Sequence, residues 1–227
     1  DFETAKSLIE KRQFHPWEGG EGKVPFQYLT TQVELAKKHI NLHSFKDAIE
    51  LLNDAKTFPH NLGEGKLQGT VENDIDYWLG CAYEGVGNKE KATEFFEKAS
   101  KGLSNPSPAI FYNDQQPDKI FYQGLALQKL GNEREANIRF NKLIDYGKKH
   151  CEDDVKLDYF AISLPDLLIW EEDLNVINKI HCDYLIGLGQ LGLGNQEEAT
   201  TAFNKVKKTN LTHVPAHIHN KMVSILN

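Results

Sequence analysis

Four alanines set the frame of this chain. Ala48, Ala92, Ala136 and Ala199 each lie in a short amphipathic stretch, and each is followed four residues later by Leu52, Phe96, Phe140 or Phe203. Twelve residues before them stand Ala36, Gly80, Gly124 and Gly187. Three of the four copies carry Gly-Asn between these points, at Gly87-Asn88, Gly131-Asn132 and Gly194-Asn195. The physical content is specific. A small residue on one helix lets a second helix approach closely, a bulky one on the second helix fills the crossing, and Gly-Asn reverses the chain between them. A chain built on this frame folds as helix pairs, not as a sheet.

The alanines are spaced by 44, 44 and 63 residues. In residues 78–99, Leu79-Gly80, Tyr83, Gly87, Ala92, Phe96 and Ala99 resemble the tetratricopeptide pattern, whose ordinary repeat is about 34 residues long. The two 44-residue units are therefore about ten residues longer than that repeat, the excess falling between one helix pair and the next, and the third gap is larger still and holds residues 148–173. At an offset of 43 residues, Phe2, Ala5, Leu8, Ile9 and Pro16 match Phe45, Ala48, Leu51, Leu52 and Pro59. The chain thus opens on the second helix of a repeat and is expected to be a fragment of something longer. The resulting division is a half repeat plus loop (1–22), repeats at 23–69, 70–116 and 117–147, an insert at 148–173, a repeat at 174–210 and a terminal helix at 211–227. The expected fold class is all-α, a right-handed tetratricopeptide-like solenoid of antiparallel helix pairs with long inter-repeat loops, in one domain.

Read together, "FHPWEGGEGKV", "FPHNLGEGKL", "NDIDYWLGCAYEGVGN" and "DYFAISLPDLLIWEEDLNVINKIHCDYLIGLGQLGLGN" also resemble the C-terminal tetratricopeptide region of large bacterial multidomain proteins, of the kind found in Bacteroidetes, that carry an N-terminal β-rich domain of unknown function. The resemblance implies a helical module attached to a larger protein that handles carbohydrate. It implies no catalytic residue. The Lys/Asn clamp with which some tetratricopeptide proteins hold a partner's terminal carboxylate has no counterpart, since the matching first-helix positions are Glu34, Lys37, Trp78, Cys81, Tyr122 and Leu125.

The inter-repeat loops hold the chain's most pointed chemistry. "GEGK" occurs at 20–23 and again at 63–66. A phosphate loop would need a glycine at Trp17 or His60 and a hydroxyl residue at Val24 or Leu67, after a strand, so nucleotide chemistry is excluded. The glycines read as turn formers instead, with Pro16 and Pro59 stopping the preceding helix. His15, Trp17, Glu18, Glu21, His60, Asn61 and Glu64 remain as candidate ligand-binding residues, suited to a sugar, a peptide or a neighbouring domain. Glu18, Glu21 and Glu64 could form an acid/base pair in principle. Helical solenoids present surfaces more than reaction pockets, so the chain itself is read as non-catalytic, whatever its parent does.

A second candidate is a groove. At the position two before the Leu-Gly pair stand Val33, Tyr77, Phe121 and Tyr184, with three aromatics in register. Either Tyr77, Phe121 and Tyr184 line a partner-binding groove or they pack beneath the inserted loops. In the insert, Ser163 and Asp166 resemble a capping box, and "DYFAI" and "LPDLLIWEEDL" read as two short helices that place Leu167, Leu168 and Trp170 against the repeats.

Charge and composition narrow the partners. A net charge of -7 disfavours nucleic acid, and no apolar run reaches the ~20 residues of a membrane span. Three cysteines without a Cys-x-x-Cys pair give neither a disulfide framework nor a structural zinc site. His213, His217 and His219, and His150 with Cys151, Glu152 and Asp153, lack ligand spacing, so no metal or other cofactor is expected. The remaining partners are a protein, another domain of the parent chain, or carbohydrate. No compartment can be read from the residues.

Overall fold

The glycine-asparagine turns are where the helices break. In a computed structural model that describes residues 1–17, 20–109, 114–156 and 173–223, Gly87, Gly131 and Gly194 all adopt positive φ, at 85°, 74° and 78°. The fourth copy of this turn has no glycine. His43 takes its place and is held at φ 59°, a conformation that a side chain disfavours.

Ten α-helices and one 3-10 turn make up the regular structure of the described residues, with no strand among them. The helices are α1 (Phe2–Lys11), α2 (Lys23–Asn41), α3 (Phe45–Asp54), α4 (Asn73–Val86) and α5 (Lys89–Ala99), followed by α6 (Pro117–Lys129), α7 (Glu133–His150), α8 (Leu174–Gly192), α9 (Gln196–Thr209) and α10 (Val214–Met222). The 3-10 turn is His60–Leu62. The fold is all-helical and tetratricopeptide-like, built of the helix pairs α2–α3, α4–α5, α6–α7 and α8–α9. The two helices expected in the insert, with Leu167, Leu168 and Trp170, lie outside the described residues.

The chain divides into two units. One comprises chiefly Asp1–Gly102, with Ala126–Gly131 from the end of α6. Its core is formed by Leu35, Ala36, Ala48, Leu52, Leu79, Ala82, Ala92, Phe96 and Ala99. A Cβ placed on Gly80 would fall 2.5 Å from the Phe96 ring, so glycine is what lets α4 and α5 touch. Asp1 caps α1 by accepting the Thr4 N–H at 3.2 Å, and Asn88 caps α5 through the Lys91 N–H at 3.1 Å.

The second unit comprises Leu103–Ala109, Gln116–Leu125 and Asn132–Asn227. Gly124 meets Phe140, and Gly187 meets Phe203, in the same relation that Gly80 has to Phe96. Phe140 also packs on Gly192 of α8, which ties α6–α7 to the following pair. Tyr83 also meets the second helix of its pair. It stacks on Phe95, centroids 5.4 Å apart, while Phe96 fills the crossing.

Candidate functional site

The two copies of the glycine-rich loop grip one another. From the second copy, the Asn61 side-chain amide donates to Ile9 O at 2.8 Å and to Arg12 O at 2.9 Å, which closes the open carbonyl end of α1. The Phe14 N–H donates to Asn61 O at 2.8 Å. Gly63, at φ 76°, brings its backbone so close that a Cβ there would lie 2.6 Å from Phe14 O. Finally, the Gly22 N–H donates to Glu64 Oε2 at 2.7 Å, placing a carboxylate at the positive end of α2. Beneath the clasp, Ile9, Tyr28 and Leu62 form a small core with Phe14, Val24, Leu29 and Phe58 around it.

Trp17 lies between the clasped points Phe14 and Gly22. The Gly20 N–H donates to Trp17 O at 3.0 Å, and the indole lies over Gly20 so tightly that a Cβ there would stand 2.0 Å from it. Trp17 is nevertheless 53% exposed, a large apolar ring on a pinned loop. His15 and His60 are also exposed, and Glu21 is half-buried. Glu18 lies outside the described residues. Of the loop candidates, then, Asn61 and Glu64 are engaged with main-chain groups, whereas His15, Trp17 and His60 face solvent.

The lysine that ends the second copy is likewise engaged. Lys66 Nζ donates to Lys56 O at 2.8 Å and pairs with Glu72. Lys56 in turn bridges Glu72 at 3.1 Å and Asp76 at 2.6 Å. Burial alone would lower the pKa of Lys56, but the Asp76 and Glu72 carboxylates outweigh it and the value is raised. For Asp76, burial dominates and raises the pKa despite the ammonium beside it.

The three aromatics in first-helix register are buried. Tyr77 is 5% exposed, Phe121 0% and Tyr184 4%, with Val33 buried as well. Tyr77 packs on Trp78 and Phe96, with centroids at 5.1 and 5.9 Å. Phe121 packs on Tyr122, Phe140 and His219, and Tyr184 on Phe203, His213 and His219. First-helix register told which face the rings share; it carried no information on what lies over that face.

One recurring device was missed by motif reading. Asn73 donates to Ala99 O at 2.6 Å and Lys101 O at 2.7 Å, and Asn178 donates to His150 O at 2.7 Å. Like Asn61, each ties off the carbonyl end of a second helix. The sequence signal is faint: an asparagine at or near the start of a first helix or in the loop before it.

Open clefts lie on the surface of each unit. One, of about 420 Å³, is lined by Glu3, Lys6, Glu10, His39, Asp47 and Asp54, among others. The other, of about 360 Å³, lies along Asp183, Gln190, Glu197, Glu198 and Lys205. No group of three or more His, Cys, Asp or Glu side chains among the described residues could hold a metal ion, and no described helix is long and apolar enough to cross a membrane.

Compared with known proteins, the chain matches no solved structure. Residues 77–101, which run from the second turn of α4 through α5 and carry Gly80, the Gly87-Asn88 turn, Ala92 and Phe96, match the tetratricopeptide repeat family.

Proposed function

We propose that this chain is a non-catalytic helical-repeat scaffold, and that the clasped loop pair is where it meets a protein partner or another domain of its parent. The observation that carries the reading is Trp17: a large ring, half in solvent, packed on Gly20 in a loop held at Arg12 by Asn61 and at Gly22 by Glu64. A pinned aromatic loses little conformational freedom on docking, which is why such residues anchor interfaces. His15 and His60 flank the same clasp and are open to contact.

The carbohydrate reading draws less from this geometry. A sugar site needs free polar groups beside the ring to orient hydroxyls. Here the Asn61 amide hydrogens and Glu64 Oε2 already serve Ile9, Arg12 and Gly22, which leaves His15 and His60 as exposed polar side chains of the loop pair.

The test is site-specific photo-crosslinking in the full parent protein. A benzophenone amino acid replaces Trp17 in one sample and exposed Lys46 in a second, and the products are mapped by mass spectrometry. The expected result is crosslinks from position 17 that converge on one surface, in the parent chain or in a single partner, with none of these from position 46. Scattered or equal crosslinking from both positions overturns the proposal.

A further inference from the structure

The buried aromatics of the second unit are covered by a helix of the chain itself. Helix α10 lays His219 among Phe121, Tyr122 and Tyr184, with ring centroids 5.5, 5.8 and 5.8 Å away. His219 Nδ1 is within hydrogen-bond distance of both Tyr184 Oη, at 3.0 Å, and Pro215 O, at 2.9 Å. One turn on, the Tyr122 hydroxyl donates to Met222 Sδ at 3.8 Å. Within this unit, the first-helix rings Phe121 and Tyr184 thus lie under a helix of the chain itself.

The start of α10 is held by an unusual cap. His213 Nδ1 accepts the Ala216 N–H at 3.1 Å, the place that Ser, Thr, Asp or Asn fills in most helices. An imidazole can accept there only while Nδ1 carries no proton. Protonation turns the acceptor into a donor aimed at another N–H, and sets a cation on the positive end of the helix.

We propose that α10 is a proton-released latch: neutral His213 holds it over Phe121, Tyr122 and Tyr184, and protonation of His213 frees it and bares those rings. The groups facing His213 reinforce this. Tyr184 lies 5.0 Å away from the α8 side, and His181 on α8 and His217 on α10 both act on it as potential cations. Lys207 and Lys208 end the preceding helix. Among the described residues, none of the charges acting on His213 is a carboxylate that could hold a proton in place. Burial, more than these cations, lowers the His213 pKa, so the latch stays closed at neutral pH and opens below the ordinary histidine value. His181, which lies within hydrogen-bond distance of Ser107 O at 2.9 Å, is lowered by burial as well. This inference is independent of the reading of Trp17.

The experiment is amide hydrogen exchange on the wild-type chain at about pH 7.5 and about pH 5, corrected for the intrinsic exchange rate, with α5, which carries no histidine, as the internal reference. The expected result is that amides 216–222 lose protection by about tenfold or more at the lower pH while α5 is unchanged. Equal protection of α10 at both pH values overturns the latch. His213→Asn and His213→Asp keep an acceptor that does not titrate in this range, and both are expected to flatten the pH response. A wild-type-sized drop in either variant overturns His213 as the trigger.

Discussion

Phe140 lies where a side chain on Gly124 would have to go: a Cβ on that glycine would stand 2.3 Å from Phe140 Cε1. The same sixteen-residue relation links Gly80 with Phe96 and Gly187 with Phe203. In the α2–α3 pair it links Ala36 with Leu52, both fully buried, so the methyl appears where the partner is smaller. Gly124→Ala is expected to lower stability by about 1–3 kcal/mol through overpacking, read as a shift in the denaturation midpoint. Gly80→Ala with Phe96→Leu is expected to lose less than the two single changes together, by about 1 kcal/mol. Strict additivity in that cycle would remove the volume argument.

His43 carries a side chain in a turn that its three counterparts make with glycine. Holding it at φ 59° strains the backbone in a way that a glycine in its place would relieve. His43→Gly is therefore expected to raise stability by about 0.5–1 kcal/mol, less whatever its edge contact with Phe45 contributes. A fall in melting temperature for this variant would show that the ring contact outweighs the strain.

Asn61 and Glu64 hold the first loop from the second. Asn61→Ala removes two hydrogen bonds to the end of α1 and is expected to destabilise by about 1–2 kcal/mol. Glu64→Ala leaves the Gly22 N–H without that acceptor and is expected to have a smaller effect on global stability. Limited proteolysis separates the two effects: both variants should be cut faster within residues 12–22 than wild type, while the Gly87-Asn88 turn stays as resistant as before.

The three thiols differ in surroundings and should differ in rate. Burial pushes the Cys81 and Cys182 thiols up to about 12, so almost none of either is thiolate at pH 8. Cys151 sits at the carbonyl end of α7, half-buried. Iodoacetamide at about pH 8 is expected to modify Cys151 first, at least tenfold faster than the others, as followed by peptide mass spectrometry. Labelling of Cys182 at a comparable rate would mean that α8 opens readily.

The helix pairs were legible because their determinants are local and periodic. Small-to-large spacing, Gly-Asn punctuation and the alanine frame each act within one hairpin, so Gly80, Gly87, Ala92 and Phe96 could be placed from residue order alone. The clasp was not legible, because Glu64 reaches Gly22 across 42 residues through a side-chain to main-chain bond that has no period. Glu64 and Asn61 therefore stood out as polar loop residues, while their bonds to Gly22, Ile9 and Arg12 carried no signal in residue order. The burial of Phe121 and Tyr184 was hidden for a related reason: it depends on α10, whose placement follows from His213 and His219 and not from the repeat frame.

The clasp also imposes an order of assembly. The side-chain bonds that hold Ile9, Arg12 and Gly22 come from a segment 42 to 52 residues further along the chain. As the polypeptide leaves the ribosome, α1 and α2 can form while the loop that carries Trp17 is still untethered. Only when Asn61 and Glu64 emerge can the bonds to Ile9, Arg12 and Gly22 close, so the loop that carries Trp17 is tethered by a segment made after it.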